Sequence, residues 1–215
     1  MNILFLQFLV GLLFLTVIFL HLTKKNFAAV MAYGIQSLII GILFLNSFFE
    51  TGNVYICIMV LLTLIVKVVL APLFLTRLIK KHNLSFSVST YLNTPLMLIF
   101  IAVLTVVAHS HIFTALTTII PANQALLSLT LSSLFLSLFL VINRRGVLSQ
   151  ILGMLSLENS IVAFIIFAGL EQSPSLQIGV IFNIFVWTMI ATVFASMIYE
   201  HFGSQDVTSM KHLKD

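Results

Sequence analysis

The stretch of sequence that decides the fold is VYICIMVLLTLIVKVVLAPLFL, residues 54–75. Crossing a hydrocarbon core of about 30 Å takes about 20 apolar residues in a helix, and this run is long enough. Lys67 nevertheless lies near its centre. A second apolar run, VLSQILGMLSLENSIVAFIIF at 147–167, carries Glu158 in the same way. Charges at bilayer depth are costly and commonly mark ion or proton paths, so Lys67 and Glu158 are the first candidates for a functional role.

The composition excludes a soluble protein. Hydrophobic residues make up 60% of the chain, charged residues only 7%, and the mean hydropathy is +1.19. So few charges cannot cover the surface of a soluble domain of this length, which predicts a chain embedded in the lipid bilayer. Cys57 is the only cysteine, so an intrachain disulfide is excluded and a cysteine metal site is not expected.

No sequence motif indicates an enzyme or a nucleic-acid-binding protein. We find no phosphate-binding loop, dinucleotide-binding turn, zinc-protease motif or nucleophile elbow. The net charge of +4 comes from few basic residues, and these follow the membrane loops. We therefore expect no catalytic residues and no nucleic-acid partner.

The apolar runs predict an all-α polytopic membrane protein with about seven transmembrane helices. The runs are long and continuous, without the alternation of a membrane β-barrel. The predicted spans are 3–22, 29–49, 54–76, 92–113, 123–142, 147–169 and 175–199.

The basic residues predict how the chain is oriented. Nine of the ten follow the odd-numbered spans, and the tenth is Lys67. The opposite loops carry Glu50 and Glu171 and no Lys or Arg. By the positive-inside rule, the N-terminus is outside and the C-terminus is cytoplasmic. The first span has no basic segment before it, which favours an uncleaved helix over a signal peptide.

Two connectors are candidate boundaries within the chain. The Ser-rich connector 77–91 is predicted to be cytoplasmic, and the linker 114–122 lies on the other side. We divide the chain into a four-helix part at 1–120, a three-helix part at 121–201 and a cytoplasmic tail at 202–215.

Four polar residues are predicted to share one central layer of the membrane. At about 1.5 Å per residue, Lys67 lies roughly 15 Å and Glu158 roughly 20 Å from the basic side. Asn183 lies about 14 Å from the opposite side, and Gln36 is near the middle of the second span. These residues could form a hydrated polar axis parallel to the membrane plane.

Each of these residues also has a simpler interpretation. The Lys67 stem could extend its amine towards the inner interface. Glu158 could be a protonated packing residue, bonded to Asn159. Gln36 and Asn183 are more simply interhelical hydrogen-bonding residues.

Other polar residues are assigned packing roles, and none predicts a cofactor. Pro72 is expected to kink its helix just beyond Lys67, or to be a tolerated membrane proline. The serines spaced along the fifth span are read as a close-packing face: Ser128, Ser132, Ser133 and Ser137. The histidines lie near span ends, which argues against a bis-histidine haem site; no metal or other cofactor is expected.

Several segments resemble subunits of one superfamily of membrane complexes. NRRGVLSQILGMLSLENS, residues 143–160, and the Asp-containing tail HFGSQDVTSMKHLKD, residues 201–215, resemble the K subunit of respiratory complex I and the C subunit of Mrp-type antiporters. Over nearly the full length, the chain resembles component E of hydrogenase-4. That likeness adds YGIQS at 33–37, KVVLAPL at 67–73 and the Ile-Gly pair before Asn183.

The resemblance implies a place in a complex that couples electron transfer to proton or sodium movement. Its partners would be antiporter-like and other membrane subunits, a peripheral redox arm and the lipid bilayer. The location would be a bacterial or archaeal cytoplasmic membrane. Glu158 would supply the acid of a central hydrophilic axis, about one turn from the complex I position near Leu155, and Lys67 would be a second member. Asn159, Pro72, Arg144 and Arg145 would be secondary members of the site. The last span departs from the pattern, because Asn183 stands near the place where K-type subunits have a second acid.

Three functional hypotheses remain open at the level of sequence. The leading one is a subunit that is not itself an enzyme and forms part of the proton path, with Glu158 as carrier and Lys67 as its electrostatic counterpart. The second is a structural spacer or anchor, and the third is a free-standing transporter, against which we see no inverted repeat. The parent complex could also be an antiporter or an ion-coupled carbon-uptake complex.

Overall fold

The structure is a computed structural model that describes residues 3–87, 90–169, 189, 191–201 and 203. These residues form helices and no strand. The long helices are α1 (Ile3–Leu22), α2 (Asn26–Thr51), α3 (Val54–Leu62), a π-helix (Thr63–Leu70), α4 (Ala71–Lys81), α5 (Thr94–Ala108), α7 (Gln124–Asn143) and α8 (Val147–Phe167). The short ones are α6 (Thr114–Thr117) and the 3₁₀ turns His111–Phe113 and Pro121–Asn123. Residues 191–201, which lie outside the elements named above, are also helical.

Five of the described helical segments are long and apolar enough to cross a membrane. They are Ile3–Leu22, Asn26–Thr51, Val54–Lys81, Pro121–Asn143 and Val147–Phe167. The third combines α3, the π-helix and α4. The prediction of an all-helical chain with several membrane-length helices is therefore confirmed at this level.

The fourth predicted span, 92–113, is not one continuous helix. Its helix α5 ends at Ala108, and the chain resumes at His111 after a bend of 49°. Thr94–Ala108 and His111–Thr117 add a sixth membrane-length segment only if they are counted together as one span. The seventh predicted span, 175–199, lies largely outside the described residues.

Two close helix contacts organise the bundle. α7 packs along α8 as a hairpin, while α1 lies against α7 and α2 lies against α8. Gly153 allows the hairpin to close: a β-carbon there would lie 2.9 Å from Val141 Cγ2 and 3.1 Å from the Val141 backbone nitrogen. The predicted parts 1–120 and 121–201 thus pack against each other, and the division at residue 120 stays a prediction from sequence.

Three connectors meet at one end of the bundle. The α1–α2 connector pairs with the α4–α5 connector, since Ser87 N donates to Lys24 O at 2.7 Å and Asn26 N to Ser85 O at 3.2 Å. The α4–α5 connector also reaches the end of α7, where Tyr91 N donates to Asn143 O at 3.0 Å. We call this the basic end of the bundle, because the connectors that meet there carry Lys and Arg residues. These contacts place the three connectors on the same side, as the charge pattern predicts.

Candidate functional site

The π-helix shapes the backbone around Lys67. In this segment the Ala71 N–H bonds to the carbonyl of Val66, five residues earlier, instead of four. Pro72 follows closely; it has no N–H and cannot bond to the carbonyl of Val68. The disturbance predicted beside Lys67 is present, but it takes the form of a π-helix that includes the lysine. Such segments inside α-helices occur frequently at functional sites.

Lys67 and Glu158 meet in the middle of the bundle. Lys67 Nζ forms an ion pair and hydrogen bond with Glu158 Oε2, joining the π-helix to α8. The Lys67 side chain is 1% exposed and that of Glu158 is 19% exposed. The lysine amine therefore ends at mid-helix and does not extend to the membrane surface. Because a buried charge without a partner is strongly destabilising, the two side chains depend on each other.

A shell of buried polar groups from three helical segments surrounds the pair. Asn159, next to Glu158, donates from Nδ2 to Ser37 Oγ on α2 at 3.2 Å, and not to Glu158. Tyr33 lies one turn from Ser37 and close enough to Glu158 to interact with its charge. Gln36 on α2 and Thr63 on the π-helix are both 0% exposed. Gln36 is thus buried next to Ser37, and its place in the central layer stays a prediction.

Several atoms of this shell have unused hydrogen-bonding capacity. Within the described part of the chain, no partner is found for Thr63 Oγ1, Asn159 Oδ1 or either amide atom of Gln36. Buried polar atoms are nearly always bonded to protein or water, so such a concentration calls for an explanation. Water bridging the shell would satisfy these atoms at a polar site of this kind.

The serines of α7 lie between helices, in agreement with the predicted packing face. Ser137 Oγ is 3.0 Å from Ser156 Oγ and 3.2 Å from Ser160 Oγ, both on α8. Ser132 and Ser133 instead donate to carbonyls one turn earlier on their own helix. Ser137 thus forms a hydroxyl cluster across the hairpin with Ser156 and Ser160.

Arg144 has a structural role that its position in a loop did not predict. It is 4% exposed, and its Nη2 donates to the carbonyls of Leu20 at 2.5 Å and of His21 and Thr23 at 2.9 Å. These carbonyls end α1 and have no partner within that helix, so the guanidinium caps it. Burial lowers the pKa of Arg144 from its ordinary value. Its neighbour Arg145 instead lies over the ring of Tyr91, at 4.6 Å.

The helical residues 191–201 are fixed to the basic end by α4. Lys81 Nζ donates to Glu200 Oε1 at 2.8 Å and to Ser196 Oγ at 3.0 Å. His82 Nε2 is 2.8 Å from the same serine hydroxyl. The hydrogen bond from Lys81 lowers the pKa of Glu200. The described C-terminal helix thus ends on the same side as the three basic connectors.

Metal and haem chemistry finds no support in the described residues. They contain no group of three or more His, Cys, Asp or Glu side chains that could hold a metal ion. His21 is bonded through Nε2 to the Leu136 carbonyl at 2.9 Å and stacks on Phe139. Cys57 is half-buried.

The sequence identified the charged pair but missed part of its surroundings. Tyr33, Ser37 and Thr63 were not singled out, although the four-residue spacings of Tyr33 to Ser37 and of Thr63 to Lys67 place them on common faces. Asn183 lies outside the described residues, so its place in the layer stays a prediction. Comparisons of the chain with protein-family models, with curated proteins and with solved structures each found no match.

Proposed function

We propose that this chain is a non-catalytic membrane subunit of a complex of the complex I and hydrogenase-4 type. In such a complex the chain contributes a buried polar axis through which protons, or sodium ions, move in response to redox chemistry in partner subunits. Its partners would be antiporter-like membrane subunits and a peripheral redox arm, in a bacterial or archaeal cytoplasmic membrane.

The observation that carries this proposal is the Lys67–Glu158 pair at the centre of the bundle. An ion pair that served only to hold helices together could be replaced by apolar residues of similar volume at little or no cost. Here the pair lies among Tyr33, Gln36 and Asn159, which are polar and capable of binding water. Ionisable residues at membrane depth are typical of proton relays.

The pair has the chemistry of a switchable proton site. Opposite charges 4 Å apart attract by about 4 kcal/mol at an effective dielectric constant of 20. When a neighbouring charge pulls Lys67 away, the Glu158 carboxylate loses that attraction and gains affinity for a proton. When Lys67 returns, the proton is released. Asn159, Ser37 and the waters they hold would pass it on.

The test is Glu158→Gln in the intact complex. Glutamine keeps the size and hydrogen-bonding capacity but cannot carry a proton. We expect less complex to assemble, because Lys67 loses its partner, and we expect the complex that does assemble to transfer electrons without proton or sodium translocation. Glu50→Gln is the matched control, because Glu50 lies at an exposed helix end where it accepts a hydrogen bond from Asn46 at 2.9 Å. Normal translocation in Glu158→Gln would refute the carrier role.

The structural spacer is the second candidate, favoured by the polar contacts that only join elements. Arg144 caps α1, and Ser137 bonds across the α7–α8 hairpin, without any need for ion movement. The exchange Lys67→Glu with Glu158→Lys separates the two functions. If the chain is a spacer, the exchanged pair should restore both assembly and the coupling of electron transfer to ion movement, relative to either single variant. If Glu158 is a proton carrier, the exchanged pair should restore assembly but not coupling.

A further inference from the structure

A small cavity opens into the bundle beside Arg144 at the basic end. Its volume is about 10 Å³, close to the roughly 10–15 Å³ that one water molecule requires. The wall towards the end of the bundle is polar and is formed by Asn26, Arg144 and Ser149. Asn26 donates from Nδ2 to Leu84 O at 2.9 Å, while its buried Oδ1 has no partner among the described residues. The cavity is therefore suited to hold water.

Part of the cavity wall is an apolar layer. It is formed by Ala29, Leu140 and Leu152, one residue from each of α2, α7 and α8. Beyond this layer, α2 presents Tyr33 and Ser37, and α8 presents Ser156 and Asn159. Ser149 and Ser156 are seven residues apart, about 10.5 Å along a helix. Ala29, Leu140 and Leu152 belong to one apolar cluster with Tyr33, so side chains of this cluster separate the cavity from the polar shell of the ion pair.

Just as the basic half is closed by the cluster that includes Ala29, Leu140 and Leu152, the other half of the bundle is closed by an apolar cluster along the same three helices. There the core contains Ile40 and Leu43 of α2, Leu127 of α7, and Ala163 and Phe167 of α8. All of these are at most 4% exposed and belong to one apolar cluster.

We propose that the cavity at Asn26, Arg144 and Ser149 is a water-binding vestibule through which protons reach the Lys67–Glu158 pair from the basic end. This inference rests on the proposed function and adds the side and route of entry. When the side chains of Ala29, Leu140 and Leu152 move apart transiently, water connects the vestibule to the hydroxyl groups of Tyr33 and Ser37. Arg144 lines the vestibule, and its guanidinium is fixed there by hydrogen bonds to carbonyls at the end of α1.

The first test fills the vestibule. Ala29→Leu places a larger side chain in the cavity and leaves the ion pair untouched. Ala28→Leu is the matched control, because Ala28 lines an apolar groove between α1 and α2 and does not line the vestibule. In the intact complex we expect translocation to be lost in Ala29→Leu and kept in Ala28→Leu. If Ala29→Leu assembles and translocates normally while Glu158→Gln does not, the route is refuted and the proposed function stands.

The second test measures access directly and does not depend on translocation. Two single-thiol variants are made in a Cys57→Ala background. Ser149→Cys places its thiol in the vestibule, and Ala163→Cys places its thiol in the apolar cluster of the opposite half of the bundle. Silver ions are added to one side of sealed membranes, and thiols left unreacted are labelled with maleimide after unfolding. We expect the thiol at 149 to be blocked only from the basic side, and the thiol at 163 from neither. A thiol at 149 that silver does not reach from the basic side would overturn the vestibule.

Discussion

At the scale of single residues, the structure joins two charges that are 91 positions apart in sequence. Neither charge would be stable alone at this depth. Lys67 is nearly inaccessible, so removing Glu158 leaves its ammonium group buried without an anion. The ion pair therefore links the helix that contains the π-helix to α8 both structurally and electrostatically.

This dependence predicts how the free energy of unfolding responds to substitution. Lys67→Met should lower it by about 3–5 kcal/mol, because the carboxylate of Glu158 loses its partner. Adding Glu158→Gln to Lys67→Met should restore most of the loss, since no unpaired charge remains. Lys24→Met is the control at an exposed lysine. Unfolding by titrated detergent measures the effect, and additive losses in the double variant would contradict the pairing.

The two adjacent arginines should differ in their contribution to stability. Arg144→Gln removes the cap of α1 and should lower the free energy of unfolding by about 1.5–3 kcal/mol, the range for hydrogen bonds to a charged group. Arg145→Gln removes only the stacking on Tyr91 and should cost about 0.5–1 kcal/mol. The same detergent titration compares the two variants. Equal falls in the free energy of unfolding would show that Arg144 contributes no more to stability than Arg145 does.

Sequence reasoning identified the residues that contrast with their surroundings. Lys67 and Glu158 stood out because a charge in a long apolar run is rare. Tyr33, Ser37 and Thr63 did not, because hydroxyl groups are common in membrane helices and only packing shows which of them are buried together. Arg144 was counted as a loop charge, since its burial depends on the end of α1, more than a hundred residues away in sequence.

At the scale of helices, length and hydropathy predicted most of the elements but not where they are interrupted. The boundaries of α1, α7 and α8 agree with the predicted spans to within a few residues. The break after Ala108 was not foreseen, because the apolar run continues through Ile112 and Phe113. The π-helix was not foreseen either; Pro72 predicted a disturbance, but not the altered hydrogen bonding upstream of it.

The α7–α8 hairpin should be sensitive to any side chain at its closest contact. Gly153→Ala places a β-carbon 2.9 Å from Val141 Cγ2 and close to its backbone, so the helices must separate. We expect the free energy of unfolding to fall by about 1–3 kcal/mol, as for overpacked cores. Gly11→Ala is the control, because nothing lies within 4 Å of the new atom. A Gly153→Ala protein as stable as the Gly11→Ala protein would contradict the tight contact.

At the scale of the whole molecule, the basic end collects the connectors and the described C-terminal helix. The sequence predicted this sidedness from the distribution of Lys and Arg, and the contacts between Ser87 and Lys24 and between Tyr91 and Asn143 agree with it. Which side of a membrane this end faces depends on the positive-inside rule and stays a prediction. The contacts between connectors were not predictable, because they depend on backbone pairing in irregular segments.

The attachment of residues 191–201 should weaken in acid. The pKa of Glu200 is lowered below its ordinary value of 4.5 in the folded chain, because Lys81 donates to it. A lowered pKa stabilises the folded form above the ordinary value, and this stabilisation is lost as the pH falls through the lowered pKa. The protection of the amides of residues 191–201 against hydrogen exchange, relative to the intrinsic exchange rate at each pH, should therefore fall below about pH 4.5. In Glu200→Gln this acid-dependent change should be absent, and an unchanged pH profile would contradict the ion pair's role.

The central claim is that the Lys67–Glu158 pair belongs to an ion path and is more than a structural contact. The most direct measurement is translocation by the purified complex in sealed vesicles, with wild-type, Glu158→Gln and Glu50→Gln chains compared at equal electron-transfer rates. We expect the assembled Glu158→Gln complex to transfer electrons without moving ions, while Glu50→Gln matches the wild type. Full translocation by an assembled Glu158→Gln complex would contradict this claim.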